Sequence, residues 1–337
     1  MSAAPDDHRA SSAARERMHR LAVVTGATGF IGQHLCRTMI ERGWSVRGSV
    51  RRTSLSDALA PRVEAVEWRL NEPTVPPELL RDAAVVIHLA GRAHEMQRSE
   101  DEASLFRSHN VDATERLVAA ARRAEVRRFV YVSSVKVLGE GEGSPYNGNS
   151  VPDPRDAYAR SKAAAEEVVR REAGPMSWTI VRPAFVYGPG GKGNFVRLMR
   201  LARLAGSIPL PLGGLRNRRS IIYVENLADL LAWCAESDHL AGRVIPGVDT
   251  QSVSTSALIR AAANAQGITA RLFPLPEPVL ALIARISGRS EEWRRLAGNF
   301  ELETAALREM GWRPPIPFDE SFRLSARSLT IATAEPR

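Results

Sequence analysis

The chain has 337 residues, 44% of them hydrophobic, with 46 lysines and arginines against 38 acids and a formal charge of +8. These figures fit one large α/β domain or one domain with a smaller lobe, and they exclude a disordered chain. No apolar run reaches the roughly 18–20 residues of a membrane span, and the basic residues are scattered among acids. Neither membrane insertion nor a nucleic-acid partner is expected.

Residues 1–19 are rich in Ala, Ser, Arg and Asp without apolar periodicity, so a disordered leader is expected there. Leu21-Ala22-Val23-Val24-Thr25 has the form of a buried parallel strand. It runs into Gly26-Ala27-Thr28-Gly29-Phe30-Ile31-Gly32 and then a helical stretch from Gln33 to Arg42. A strand, a glycine turn and a helix start, in that order, let backbone approach a pyrophosphate at the helix N-terminus. Gly26, Gly29, Phe30, Ile31 and Gly32 are therefore the first cofactor-binding candidates.

Cys36 and Cys234 lie far apart in apolar stretches with no metal-ligand or CxxC spacing. They read as reduced core thiols of a cytoplasmic protein, and no metal site is expected. The next strand, Ser45 to Val50, runs into Arg51 and Arg52. An NAD-binding fold usually ends this strand with an acid for the ribose 2′-hydroxyl; arginines there suit a 2′-phosphate, so NADP is favoured and NAD stays possible. Val63–Trp68 reads as a third strand. Ala84–Gly91 reads as a fully apolar fourth, whose end at Leu89 and Ala90 can lie along a cofactor. His88 within it reads as a packed strand residue.

Arg128–Ser134 is the fifth strand and ends in hydroxyls. Ser134 then stands at the crevice where open α/β sheets bind ligands. Downstream, Tyr158 and Lys162 are four residues apart in a stretch suited to a helix, so both lie on one face about a turn apart. An ammonium near a phenol favours the phenolate, and such a phenol can exchange a proton with an alcohol. Only Lys136, Lys162 and Lys192 among the 46 basic residues are lysines, all within one short region. Trp178–Pro183 is the sixth strand, and from Gly190 the composition shifts toward a second lobe.

Gly26, Gly29 and Gly32, Ser134, Tyr158 and Lys162, Arg182-Pro183 and Gly311-Trp312 together resemble the extended short-chain dehydrogenase/reductases. The resemblance covers roughly residues 20–325 and includes the epimerase/dehydratase group that acts on nucleotide sugars. It implies a doubly wound parallel Rossmann sheet at 20–189 and a smaller C-terminal substrate-binding lobe at 190–330, with about 217–250 returning to the first. It also places Leu89, Ala90, Tyr158, Lys162 and Pro183 on the cofactor. Tyr158 becomes the general acid/base, Lys162 lowers its pKa and holds the nicotinamide ribose, and Ser134 orients the substrate oxygen.

Ser-Ser-Val-Lys-Val, Gly-Lys-Gly-Asn-Phe and Asn-Arg-Arg-Ser-Ile look most like bacterial UDP-sugar 4-ketoreductases and 4-epimerase-like enzymes of surface polysaccharide synthesis. The likeness implies reduction of a UDP-4-keto-6-deoxy-hexosamine, with 4-epimerisation of a UDP-hexose or UDP-N-acetylhexosamine as the alternative. It puts Lys136, Lys192, Asn194 and Arg219 on the substrate: Asn194 on the sugar nucleotide, unless it is a helix cap, and Arg219 on the diphosphate, unless it is a solvated loop charge. The 4,6-dehydratases carry an Asp-Glu pair where this chain has Val135 and Lys136, so dehydration is not expected. Many relatives are homodimers, which extends that expectation here. A non-catalytic dinucleotide sensor is the rival of another class; such proteins tend to lose the tyrosine or the lysine, and this chain has both.

Overall fold

In the computed structural model the described residues are 20–51, 55–92, 101–141, 145–191, 193–249 and 252–334. The expected leader at 1–19, Arg52 and Lys192 lie outside them. The elements used below are β1 (Leu21–Thr25), α1 (Phe30–Glu41), β2 (Ser45–Val50), β3 (Val63–Glu67), β4 (Val85–His88), α2 (Ala113–Arg123), β5 (Arg128–Val132), α3 (Ala157–Glu172), β6 (Ser177–Pro183), β7 (Phe185–Tyr187), α4 (Asn194–Ser207), β8 (Ile221–Tyr223) and β9 (Arg243–Gly247).

The apolar runs that read as strands are strands, and their burial explains why. β1, β4 and β5 are buried along almost their whole length, as expected of strands covered on both faces. They sit centrally in a seven-stranded sheet of order β3-β2-β1-β4-β5-β6-β9. Pairing is parallel from β3 through to β6. This is the doubly wound Rossmann arrangement, and the order reverses between β1 and β4, where such sheets bind ligands. One core cluster joins Val23, Val86, Phe129, Tyr131 and Ile180 of the strands to Leu117, Ala121, Ala165 and Val169 of α2 and α3. The small residues on those helices let their backbones lie close to the sheet.

The chain forms two compact units. The first holds the described residues up to Val137, Pro152–Arg182 and Ala228–Ile245; the second holds Leu138–Val151, Pro183–Leu227 and the chain from Pro246. These bounds differ from those expected, for identifiable reasons. The chain leaves the main sheet after β6, and β7 pairs with β8, Phe185 opposite Ile221, so 217–227 stays in the second unit. Segment 138–151 joins it because Tyr146 bridges Leu302, donating to the Glu301 carbonyl at 2.9 Å and accepting from the Glu303 amide at 2.8 Å.

Within the second unit, Tyr187, Phe195, Tyr223 and Phe322 are fully buried and cluster ring to ring. Burial alone would leave the Tyr187 hydroxyl costly, and its 2.5 Å hydrogen bond with Ser321 satisfies it. No helix among the described residues is long and apolar enough to cross a membrane.

Candidate active site

The glycine turn after β1 is built for a dinucleotide. Gly26 has φ +72°, and its carbonyl accepts from the Gly29 amide at 2.9 Å. A Cβ on Gly32 would lie 2.1 Å from the Gly26 carbonyl oxygen, so only glycine lets α1 start this close to the turn. α1 begins at Phe30, earlier than the sequence pattern suggests, because Gly29 takes the cap position without a side chain to satisfy the first amides. Those amides, with the helix dipole behind them, are the donors a pyrophosphate requires. Ser49 of β2 accepts from the Gly26 amide at 3.3 Å, and Thr25 Oγ1 accepts from the Ala90 amide at 3.1 Å. The turn and the Leu89–Ala90 backbone are thus fixed at neighbouring strand ends. The residues present fit a nicotinamide dinucleotide. β2 ends at Val50 with exposed Arg51 following and no acid.

The proton-transfer candidates meet at the end of β5. Asp156 caps α3, its Oδ1 accepting from the Ala159 amide at 2.6 Å. That cap places Tyr158 in the first turn and Lys162 one turn later. Ser134 lies beside the Tyr158 phenol and favours its ionised form. Burial raises the Tyr158 pKa; Ser134 opposes this, and nearby Asp156 adds to it.

Lys162, expected to lower that pKa, is not among the groups that shift it. The Lys162 ammonium turns toward the strand instead, donating to the Val132 carbonyl at 2.7 Å and lying 4.3 Å over the Tyr131 ring. One helical turn brings the two residues onto one face, but the lysine stem reaches down to β5. Burial, opposed by Glu166, brings Lys162 itself down to about 7.

Lys136, on the short turn Val135–Leu138, donates from Nζ to Asp156 Oδ2 at 2.7 Å.

Two supports, Glu166 and Asn110, carry no signal that sequence reasoning used. Glu166, fully buried on α3, accepts from Arg182 Nε at 2.9 Å and Nη2 at 2.7 Å, and from Ser133 Oγ at 2.6 Å. It braces α3 against β6 and the residue before Ser134. Its spacing, four after Lys162, is the one clue the sequence offers. Asn110 lies in a widened helical turn, Arg107–Asp112, of the kind often found at functional sites. Its Nδ2 donates to Ser161 Oγ at 2.9 Å, and its Oδ1 accepts from the Arg92 amide at 2.7 Å. His88 is buried between Thr25, at 2.7 Å, and Thr114, at 3.0 Å. Burial pushes its pKa down to about 3, so it stays neutral and packs, as the apolar strand context suggests.

The remaining candidates belong to the second unit. Pro183 opens it, beneath Gly247, where a Cβ would come within 2.8 Å of Pro183 Cα. Asn194 is the first residue of α4 rather than its cap, which is Gly193, and it is exposed. Arg219 pairs its backbone with Val253 in both directions and donates from Nη1 to the Arg295 carbonyl at 2.5 Å. Burial lowers its pKa and Glu140 opposes that, so the guanidinium is an anchored, partly desolvated cation and not a solvated loop charge. Among the described residues no group of His, Cys, Asp and Glu could hold a metal ion.

Comparison with known proteins agrees with this architecture. The family model described as NAD dependent epimerase/dehydratase family matches residues 22–245. A UDP-glucose 4-epimerase of Vibrio cholerae is 33% identical over 325 residues, covering 94% of this chain and 97% of that one. A ceramide reductase of Caulobacter vibrioides is 34% identical over 266 residues, covering 77% and 74%. Among solved structures, MoeE5 in complex with UDP-glucose and NAD has a TM-score of 0.70 at 22% identity, covering 93% of this chain and 99% of that one. Thermus thermophilus UDP-glucose 4-epimerase in complex with NAD has 0.69 at 23%, covering 92% and 99%. At those identities the structures speak for the fold, and the sequence matches speak for the family. The chain is an enzyme of the NAD-dependent epimerase/dehydratase family.

Proposed function

We propose that the protein carries out hydride transfer at C4 of a UDP-sugar, in the net direction of reducing a UDP-4-keto-6-deoxy-hexosamine for surface polysaccharide synthesis. The observation that carries this reading is the Tyr158 phenol, set beside Ser134 at the start of α3 by the Asp156 cap and kept in its protonated form by burial. A protonated phenol is ready to give its proton to a carbonyl oxygen, which is what reduction of a ketone needs. When bound, the nicotinamide supplies the hydride. Tyr158 delivers the proton to O4, Ser134 orients that oxygen, and Lys162 holds the nicotinamide ribose. The turn 26–32 and the Leu89–Ala90 backbone seat the dinucleotide.

In the same reading Arg51 and Arg52 favour the 2′-phosphate of NADP, the form that suits a net reductant. Asn194, Lys192 and Arg219 serve the sugar nucleotide, the last through the bidentate grip of a guanidinium on phosphate oxygens. Lys136 stands where dehydratases carry an acid, which speaks against dehydration. A cytoplasmic homodimer completes the proposal, supported by the family resemblance.

A second reading, 4-epimerisation, is favoured by the full-length similarity to the Vibrio cholerae UDP-glucose 4-epimerase. The two differ in whether cofactor is consumed. Incubation with UDP-4-keto-6-deoxy-N-acetylglucosamine and NADPH should consume the reduced cofactor stoichiometrically, and faster than with NADH. Interconversion of UDP-GlcNAc and UDP-GalNAc without net cofactor change would establish the epimerase. No consumption with either cofactor would sink the reductase.

A further inference from the structure

Lys136 closes a ring of contacts around the phenol. Its backbone amide donates to Ser134 Oγ at 3.2 Å, and its Nζ donates to Asp156 Oδ2 at 2.7 Å. Asp156 uses its other oxygen on the Ala159 amide at 2.6 Å, fixing the first turn of α3. Tyr158, in that turn, lies beside Ser134, whose hydroxyl acts on the phenol. The Asp153 amide donates to the Val137 carbonyl at 2.8 Å, tying the approach to α3 to the same turn.

We propose that Lys136 is a positioning residue for Tyr158: its ammonium anchors and neutralises the Asp156 cap, so that the phenol faces Ser134 without an uncompensated carboxylate beside it. This rests on Tyr158 being the proton donor, and it assigns Lys136 to the protein's own machinery, not to the substrate.

The electrostatic part of the argument depends on what else surrounds the phenol. On its own helix the charged groups within one turn are Asp156, Arg160 and Lys162; Arg160 is exposed and donates to the Arg155 carbonyl at 3.3 Å, and the Lys162 ammonium is turned to Val132. β5 offers Tyr131, held protonated by burial. The stretch 102–112, which packs against α3, offers the ring of Phe106 at 5.8 Å. Its Arg107 and Asp112 pair with each other at 3.8 Å, and its His109 is turned to the Leu105 carbonyl at 2.9 Å. Asp156 is therefore the neighbouring anion that raises the Tyr158 pKa, and Lys136 is one of its partners. The pair is about a third exposed, at 38% and 29%, so its value lies in placement and local charge more than in stability.

Removing the ammonium takes one positive charge from beside Asp156, which then disfavours the phenolate more strongly. In the reducing direction activity is lost as pH rises through the Tyr158 pKa, so in Lys136→Met this limb moves to higher pH. Because the phenol is then a weaker and less ordered acid, kcat should fall about tenfold while KM for the nucleotide sugar changes little. Lys136→Arg should restore most of the loss. Adding Asp156→Asn to Lys136→Met should return the limb toward the wild-type position, since the cap persists and the charge is gone.

The deciding measurement is spectrophotometric titration of the Tyr158 phenolate, isolated by subtracting the Tyr158→Phe variant. It needs no turnover, so it reads the Lys136 effect even if the proposed substrate is wrong. A higher Tyr158 pKa in Lys136→Met, reversed by Asp156→Asn, supports the proposal. An unmoved titration, with the loss confined to KM, would overturn it and return Lys136 to the substrate.

Discussion

At the scale of single residues, what distinguishes this site is that burial, more than charge, sets the state of its groups. Tyr158 is held protonated and Lys162 is brought down to about 7, each mainly by desolvation. Tyr158→Phe removes the proposed proton donor while keeping the ring that meets Phe106. Turnover should drop by roughly 10²–10⁴ with the dinucleotide dissociation constant unchanged, as read by stopped assays and calorimetry. Loss of dinucleotide binding instead would assign Tyr158 to the cofactor seat.

His88 gives a pH test of the fold itself. Its folded pKa of about 3 lies below its ordinary 6.5, so its contribution to stability is complete above 6.5 and is lost as pH falls toward 3. Urea unfolding at pH 7.5 and 5 should show a larger loss for the wild type than for His88→Asn. Equal losses would contradict the burial argument. The residue types of the site were legible in sequence because their spacing is a property of one helix or one turn. Which way Lys162 points was not, because that depends on where β5 lies relative to α3.

At the scale of elements, two joints carry the site. The first is the glycine turn. Gly32→Ala sets a methyl against the Gly26 carbonyl, so α1 must withdraw from the turn. Dinucleotide affinity should fall by more than about a hundredfold, consistent with losing several charge-assisted hydrogen bonds, and isothermal titration checks it. Binding within a few-fold of wild type would show that the turn has slack the structure does not suggest.

The second joint is the Glu166–Arg182 fork, with both side chains at most 3% exposed. Glu166→Gln breaks the pair and leaves a buried guanidinium uncompensated, a change that costs about 3–5 kcal/mol in comparable cases. Denaturant titration should show it as a lower midpoint; an unchanged midpoint would mean that Arg182 finds another acceptor. Neither the fork nor the Asn110 contacts could be read from sequence, since their partners lie 16 and 51 residues away. Element identities were clearer, because apolar runs bounded by glycine and helical periodicity are local signals. Boundaries moved where main-chain geometry decided, as at Gly29, or where pairing did, as when β7 joined β8.

At the scale of the molecule, the parallel sheet and its order put the ends of β1, β4 and β5 side by side. That brings a glycine turn, a backbone ledge and a Ser–Tyr pair together from sequence positions more than a hundred residues apart. The existence of this Rossmann unit was legible in the strand–turn–helix order. The division of the chain was less so, because segments 138–151 and 183–227 are assigned by pairing and not by composition.

The central claim is that Tyr158 protonates O4 while hydride arrives at C4 of a UDP-sugar. Supplying NADPH deuterated at the transferable position, with UDP-4-keto-6-deoxy-N-acetylglucosamine, tests it most directly. The expected result is one deuterium at sugar C4 by mass spectrometry and NMR, with incorporation nearly abolished in Tyr158→Phe. No deuterium at C4 with the wild type, or equal incorporation in the variant, would contradict it.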